Sequence, residues 1–319
     1  MARMRKPATG ERVLAVSHES LLYGAPRSLL MLVTALRKSR MVRLATFGQG
    51  DLVGAARAEG VPTEVIPDCA IYPDPNRRNP VTAFVERNGL RVLRRLCAVR
   101  GFLRCMALMR DMDTVYVNTI LRRGPIHAGW LMRRRVVVHV REAENYLAPV
   151  TAGGKRRLSR LFAHADTVIC VSEAVRRLVL AIPNTGLGPD QVETVYNGIR
   201  AESFARDPEA GAALRDRLGI PRDAVVVAFV GNATERKGLD IYLQAASRLQ
   251  ETRDDLHFLI AGGKPEDLER FRAAHLTGAR SDHVHFLGFV TDTRPVLWAA
   301  NIFAMLSRVE PFARVNLEA

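Results

Sequence analysis

Ala224 to Asp240 reads A-V-V-V-A-F-V-G-N-A-T-E-R-K-G-L-D. The unbroken apolar run before Gly231 describes a strand buried on both faces, as in a parallel sheet. A turn with two adjacent cations, Arg236 and Lys237, follows, and the pattern then becomes helical from about Leu239 to Gln250. Strand, glycine-containing turn and helix form the βα arrangement whose backbone amides and helix dipole favour an anion. Adjacent Lys or Arg in such a turn would stabilise the charge of a phosphate-bearing ligand. Lys237 is the leading candidate for that role. Arg236 is either a second cation of the site or a solvated loop charge.

Downstream the unit repeats. Leu256 to Ala261 is a strand that runs into Gly262-Gly263, His283 to Phe289 is another, and Ile302 to Leu306 reads as a short buried one. His283 and His285 share a strand face, but no third ligand is visible, so a metal site is not indicated. The tail Ser307 to Ala319 reads S-R-V-E-P-F-A-R-V-N-L-E-A. Pro311 places Glu310 in a loop and leaves Glu318 on the helix. Carboxylates accept from hydroxyls and a helix N-terminus suits phosphate, a combination that describes a nucleotide sugar.

Upstream the same alternation gives strands at Val13–Ser17, Val42–Phe47, Val61–Ile66, Thr114–Asn118, Val136–Val140, Thr167–Val171 and Val192–Tyr196. Helices are expected at Leu29–Lys38 and Gly50–Gly60. The first turn, H-E-S-L-L-Y-G-A-P-R-S, is not G-x-G-x-x-G, so a dinucleotide cofactor is not indicated. His139 falls near the carboxyl end of a strand, where open α/β sheets bind ligands; a histidine packed in the sheet is the alternative. Arg141 and Glu142 follow it closely. Ser172 has the character of an N-cap, with Glu173 in the first turn. Asn197-Gly198 is a turn that hands the chain from a domain of residues 1–198 to one of residues 199–319.

A chain of 319 residues with 48% hydrophobic and 25% charged residues accommodates two globular cores. The net charge of +14 points to an anionic partner. Nucleic acid ranks low, because aromatic residues are only 6% and are not interleaved with the cations. From Val81 to Arg110 seven arginines (Arg87, Arg91, Arg94, Arg95, Arg100, Arg104 and Arg110) face one acid, Glu86, while Leu90, Leu93, Leu96, Leu103 and Met106 recur at helical spacing. That pattern fits a basic amphipathic helix on an anionic membrane surface, or a solvated surface helix. The cysteines at 69, 97, 105 and 170 lack C-x2-C spacing and are expected as isolated buried thiols in a reducing compartment. No signal segment or membrane span is read, so the expected location is cytoplasmic, with peripheral association at the inner face of the membrane as a variant.

Taken in order, these segments resemble glycosyltransferase family 4, whose retaining enzymes have the GT-B fold of two Rossmann-like domains facing a cleft. E-P-F-x5-E resembles the family's E-x7-E signature, and G-N-A-T-E-R-K-G resembles its G-R-x4-K-G turn. H-V-R-E, V-S-E-A-V and V-Y-N-G-I match further segments in the family's order. The resemblance implies transfer of a sugar from a nucleotide-diphosphate sugar to a glycan or lipid-linked acceptor, in polysaccharide biosynthesis, without cofactor or metal. It implies donor contacts from Gly24, Ala25, Gly231, Asn232, Arg236, Lys237, Glu310, Phe312, Ala313 and Glu318, with Glu310 on sugar hydroxyls and Glu318 on the ribose. It places His139 and Glu310 at the reacting centre. Three positions depart from the pattern: Tyr23 breaks a glycine pair at Gly24, Asn232 stands for an Arg, and Ala313 for a Gly. Family members normally continue beyond the point matching Ala319, so the second domain is expected to be incomplete. A non-catalytic carbohydrate- or lipid-binding remnant and a sugar-nucleotide epimerase are the alternatives.

Overall fold

The computed structural model of the chain describes residues 10–67, 95–142, 155–276 and 281–319. It divides into two compact units, Met1–Asn197 and Gly198–Ala319.

Unit 1 is built on a seven-stranded, all-parallel sheet. Its strands are β1 (Arg12–Ser17), β2 (Met41–Phe47), β3 (Thr63–Ile66), β4 (Thr114–Asn118), β5 (Arg135–Val140), β6 (Thr167–Cys170) and β7 (Val192–Thr194), in the spatial order β3-β2-β1-β4-β5-β6-β7. Parallel neighbours require crossovers, and helices supply them. They are α1 (Gly24–Leu36), α2 (Asp51–Ala58), α3 (95–108), α4 (Gly124–Leu131), α5 (Lys155–Phe162) and α6 (Glu173–Leu180). With both faces covered, the strands bury nearly every side chain: Leu14, Leu44, Val115, Val136 and Val138 are fully inaccessible. Each such burial stabilises the fold by about 1.5–3 kcal/mol. The strand order reverses between β1 and β4, which makes their carboxyl ends the topological switch point.

Unit 2 has a four-stranded parallel sheet of β8 (Val225–Val230), β9 (Leu256–Ala261), β10 (Val284–Gly288) and β11 (Ile302–Phe303), ordered β10-β9-β8-β11. Its helices are α7 (Pro208–Arg217), α8 (Leu239–Leu249), α9 (Pro265–His275), α10 (Arg294–Ala299) and α11 (Val315–Glu318). One face of the sheet packs Phe229, Leu239, Leu243, Phe258 and Ile260, and the other packs Leu214, Val226, Leu259 and Val296. Here the order reverses between β8 and β11.

The alternation of strands and helices is therefore the two-unit, Rossmann-like α/β architecture expected. Several elements differ from their sequence reading. β11 is two residues long, and Ile302 is half exposed, because β11 is the edge of its sheet and has a strand on one side only. β7 stops at Thr194, leaving Val195 and Tyr196 exposed. Neither α4 nor α5 was legible. α4 reads G-P-I-H-A-G-W-L, apolar all round, and packs close to the sheet through Gly129, where a Cβ would run into Val136. Of the basic helical stretch 81–110, residues 81–94 lie outside the described residues. In α3 the seam facing the core is Gly101, Cys105 and Leu108, while Leu96 and Leu103 point to solvent. Cys97 is disulfide-bonded, which corrects the expectation of four isolated thiols; Cys105 and Cys170 are free and buried.

Candidate active site

The turn after β8 is tied to the tail by many contacts. The Thr234 hydroxyl caps a short 3-10 turn, Glu235–Lys237, by accepting from the Lys237 amide at 3.4 Å. Gly238 then takes φ +78°, and a Cβ there would collide with the Leu306 carbonyl. Only glycine suits both demands. The Arg308 amide donates to the Arg236 carbonyl at 2.9 Å, and Arg236 Nη1 donates to the Val309 carbonyl at 3.1 Å. The Arg308 guanidinium grips Asp240 with two bonds, of 2.8 and 2.6 Å, and also donates to the Glu235 carbonyl. These bonds outweigh the effect of burial and hold the Asp240 carboxyl below its usual range.

This strapping brings the sequence-predicted charges together. Lys237 Nζ lies 2.5 Å from Glu310 Oε2, and Arg236 Nη1 lies 3.4 Å from the same oxygen. Two cations share one carboxylate, so net positive charge remains for a bound anion. The side chains of Lys237 and Glu310 are each 18% exposed, within reach of a ligand yet partly shielded from solvent. Gly231 closes β8 by donating to the Ala261 carbonyl at 2.9 Å. Gly262, at φ +109°, passes so close to the Gly231 carbonyl that a Cβ would not fit. Asn232 is exposed in the same loop. Phe312 and Ala313 are part-buried between Glu310 and α11. Glu318 sits on α11, 3.4 Å from Arg314 Nη2, with only 7% of its side chain exposed.

In unit 1, Gly24 opens α1 with φ +45°, and the Ala25 carbonyl accepts from Asn118 Nδ2 at 3.0 Å across the β1/β4 switch point. His139 is 5% exposed near the end of β5. Its Nδ1 meets the Tyr116 hydroxyl and, at 3.3 Å, Arg141 Nη2. Arg141 also donates to Asn118 Oδ1 at 2.7 Å and to Asn197 Oδ1 at 2.5 Å. Burial first, and the Arg141 charge second, press the His139 imidazole well below its ordinary value. Burial pushes the Tyr116 phenol up to about 12. Glu142, 5% exposed, accepts from the Ile120 and Arg141 amides, and burial raises its carboxyl. Between them Thr119 holds φ +100°, an uncommon conformation for a β-branched residue. Strain of this kind collects at functional sites.

Sequence reasoning missed Tyr116, Asn118, Asn197, Asp240 and Arg308 as members of these networks. A tyrosine or asparagine at the end of an apolar strand was the available signal. His283 and His285 do have a third imidazole beside them, His257, whose Nδ1 lies 3.1 Å from His285 Nε2. Those rings face one another as a stack at the amino ends of β9 and β10. Among the described residues no set of three or more His, Cys, Asp or Glu is placed to hold a metal.

Comparison with known families bears on the whole chain. Residues 23–203 match the model of glycosyltransferase family 4, and residues 212–319 match that of glycosyl transferases group 1. The chain belongs to glycosyltransferase family 4. Similar curated proteins include a D-inositol 3-phosphate glycosyltransferase of Streptomyces scabiei, 31% identical over 223 residues, covering 60% of this chain and 48% of the relative. An alpha-maltose-1-phosphate synthase of Mycolicibacterium smegmatis is 33% identical over 164 residues, covering 49% of this chain and 41% of the relative. The chain thus spans about half or less of the length of these curated relatives. Among solved structures, Anabaena Alr3699/HepE in complex with UDP and glucose is similar with a TM-score of 0.73 at 19% identity, covering 96% of this chain and 77% of that one. The outer core galactosyltransferase WaaB reaches a TM-score of 0.60 at 12% identity, with coverage of 97% and 77%. At such identities the likeness concerns the fold, which is the GT-B class implied by the order of the motifs. No helix among the described residues is long and apolar enough to cross a membrane.

Proposed function

We propose that this family 4 chain moves a sugar, with retention, from a nucleotide-diphosphate sugar to an anionic glycan or lipid-linked acceptor. The observation that carries the reading is the convergence of Lys237 and Arg236 on Glu310 at the switch point of unit 2. A donor diphosphate placed there meets both cations as its charge develops, which is where fixed charge accelerates the step. Glu310, released from part of that pairing, accepts from sugar hydroxyls, and Glu318 accepts from the ribose. Gly231, Asn232, Phe312 and Ala313 line the donor, and Gly24 and Ala25 are assigned to substrate contact at the first loop of unit 1. Within unit 1, His139 is assigned to a sugar oxygen. The net charge of +14 favours an anionic acceptor. Similar proteins crystallised with UDP and UDP-glucose make uridine diphosphate the first nucleotide to try. The epimerase and remnant alternatives gain no observation, since both matching family models are glycosyltransferase models.

The test is calorimetric titration with UDP and UDP-glucose, followed by a transfer assay on membrane-lipid and glycan extracts. Heat on titration that disappears in Lys237→Ala supports the reading. Absence of binding by any of the common nucleotide diphosphates refutes it.

A membrane surface is a second element of the proposal. Leu96, Val99 and Leu103 on α3 are 62%, 56% and 58% exposed, at spacings that share a helix face, and Arg100 and Arg104 stand beside them. Exposed leucines flanked by arginines suit the interface of an anionic bilayer. Co-sedimentation with phosphatidylglycerol vesicles at low salt is the expected result, and no pelleting would sink this element alone.

A further inference from the structure

His139 lies at the centre of an arrangement that determines which of its nitrogens carries the proton. Two groups converge on Nδ1, the Tyr116 hydroxyl and Arg141 Nη2. A guanidinium has donors only, and a phenol pushed up to about 12 keeps its proton at any working pH. Nδ1 must therefore offer its lone pair. The imidazole is buried beside a permanent positive charge, so the ring stays neutral. A neutral ring with Nδ1 as acceptor has its single proton on Nε2. Among the described residues Nε2 is buried and has no hydrogen-bond partner. Buried donors are ordinarily matched, so this one leaves a hydrogen bond still to be made.

The guanidinium that imposes this state is itself fixed from three directions. It donates to Asn118 at the end of β4, to Asn197 after β7, and to His139. The His139 carbonyl is held as well, accepting from the Thr119 amide at 2.9 Å. Tyr116 meets the ring edge-on, at 6.0 Å between centroids and an interplanar angle of 84°. Among the described residues, the titratable or charged groups that reach the imidazole are Tyr116 from β4 and Arg141 from the segment after β5.

We propose that Arg141 is a positioning residue that locks His139 as the neutral Nε2–H tautomer, so that His139 serves as a fixed hydrogen-bond donor to a ligand oxygen rather than as an acid or base. The nature of that ligand rests on the transferase reading; the tautomer does not. An Nε2–H group suits an uncharged oxygen acceptor, such as a sugar hydroxyl or ring oxygen. It cannot remove a proton from a nucleophile, because its lone pair is already engaged at Nδ1.

The experiment is long-range 1H–15N correlation spectroscopy on the full chain labelled with 15N-histidine, followed from pH 8 to pH 5. The expected His139 signature is a single Nε2–H tautomer that does not titrate across that range. Replacing Arg141 by Met should admit the Nδ1–H tautomer and bring the ring's titration upward into the window, whereas Arg141→Lys should restore the wild-type pattern. An Nδ1–H tautomer in the wild type, or a His139 that titrates normally, overturns the proposal. If R141M fails to fold, the wild-type tautomer and the R141K spectrum still decide. Should the tautomer be as expected while every nucleotide sugar fails to bind, the positioning role stands and the transferase reading falls.

Discussion

At the carboxyl edge of the unit 1 sheet two buried rings, His139 and Tyr116, are disfavoured in their charged forms by burial, beside a part-buried Arg141 guanidinium wrapped by amide side chains. At the carboxyl edge of the unit 2 sheet the working groups are charged and part exposed, with Lys237 and Arg236 sharing Glu310. The two sheets place their sites by the same rule, the reversal of strand order, yet fill them with opposite chemistry. The difference follows what each edge is proposed to meet. A sugar is recognised by directed hydrogen bonds, which need fixed donors in a dry setting. A diphosphate is recognised by charge, which needs cations that remain accessible.

The sharpest way to break this comparison is to remove charge from unit 2. Lys237→Ala and Glu310→Gln should each lower turnover by about 10²–10³-fold, with little change in the thermal melt. Near-normal rates in both would falsify the division of labour. Next in size is a backbone test. Gly238→Ala should destabilise unit 2 by about 1–3 kcal/mol, since alanine at this left-handed position is strained and meets the Leu306 carbonyl; a melt unchanged by the substitution would show that the turn and tail are not coupled as described.

A third test uses the stacked histidines of unit 2, His257, His283 and His285. Burial, and then the nearby His283 and His285, lower His257 to about 4. The unfolded chain takes up a proton near the ordinary imidazole value of about 6.5, and the folded chain does so only near the lower one. The unfolded state thus binds more protons in between, and stability falls as pH drops through that window. Urea melts at several pH values should show this slope, and His257→Gln should flatten it. An equal slope in the variant would assign the acid sensitivity elsewhere. The smallest effect is that of salt. Raising ionic strength from about 0.1 M to about 1 M shortens the Debye length from about 10 Å to about 3 Å. UDP binding should weaken several-fold, while the His139 tautomer should stay as it is.

The fold was legible because parallel strands buried on both faces leave unmistakable apolar runs: Thr114–Asn118 and Leu256–Ala261 match their observed bounds. Glu310, Lys237 and Arg236 were legible as individuals, because charges in a glycine turn have few structural uses. Their shared carboxylate oxygen was not, since it depends on β11 lying beside β8, a pairing that periodicity does not reveal. α4 left no stripe to read because it is apolar all round. Tyr116 and Asn197 are 81 residues apart, from 197 minus 116, and are linked through the guanidinium of Arg141. Long-range polar networks have no period and therefore no signature in a single sequence.

The strapping of residues 234–240 to residues 306–310 bears on heredity and on engineering. A graft that takes the cationic turn from one chain and the glutamate loop from another would bring the Gly238 approach to Leu306, the Arg308 grip on Asp240 and the Arg236 bond to Val309 from mismatched parents. The two segments, some seventy positions apart in the chain, behave as one heritable part. Recombination points should fall outside both or exchange both together.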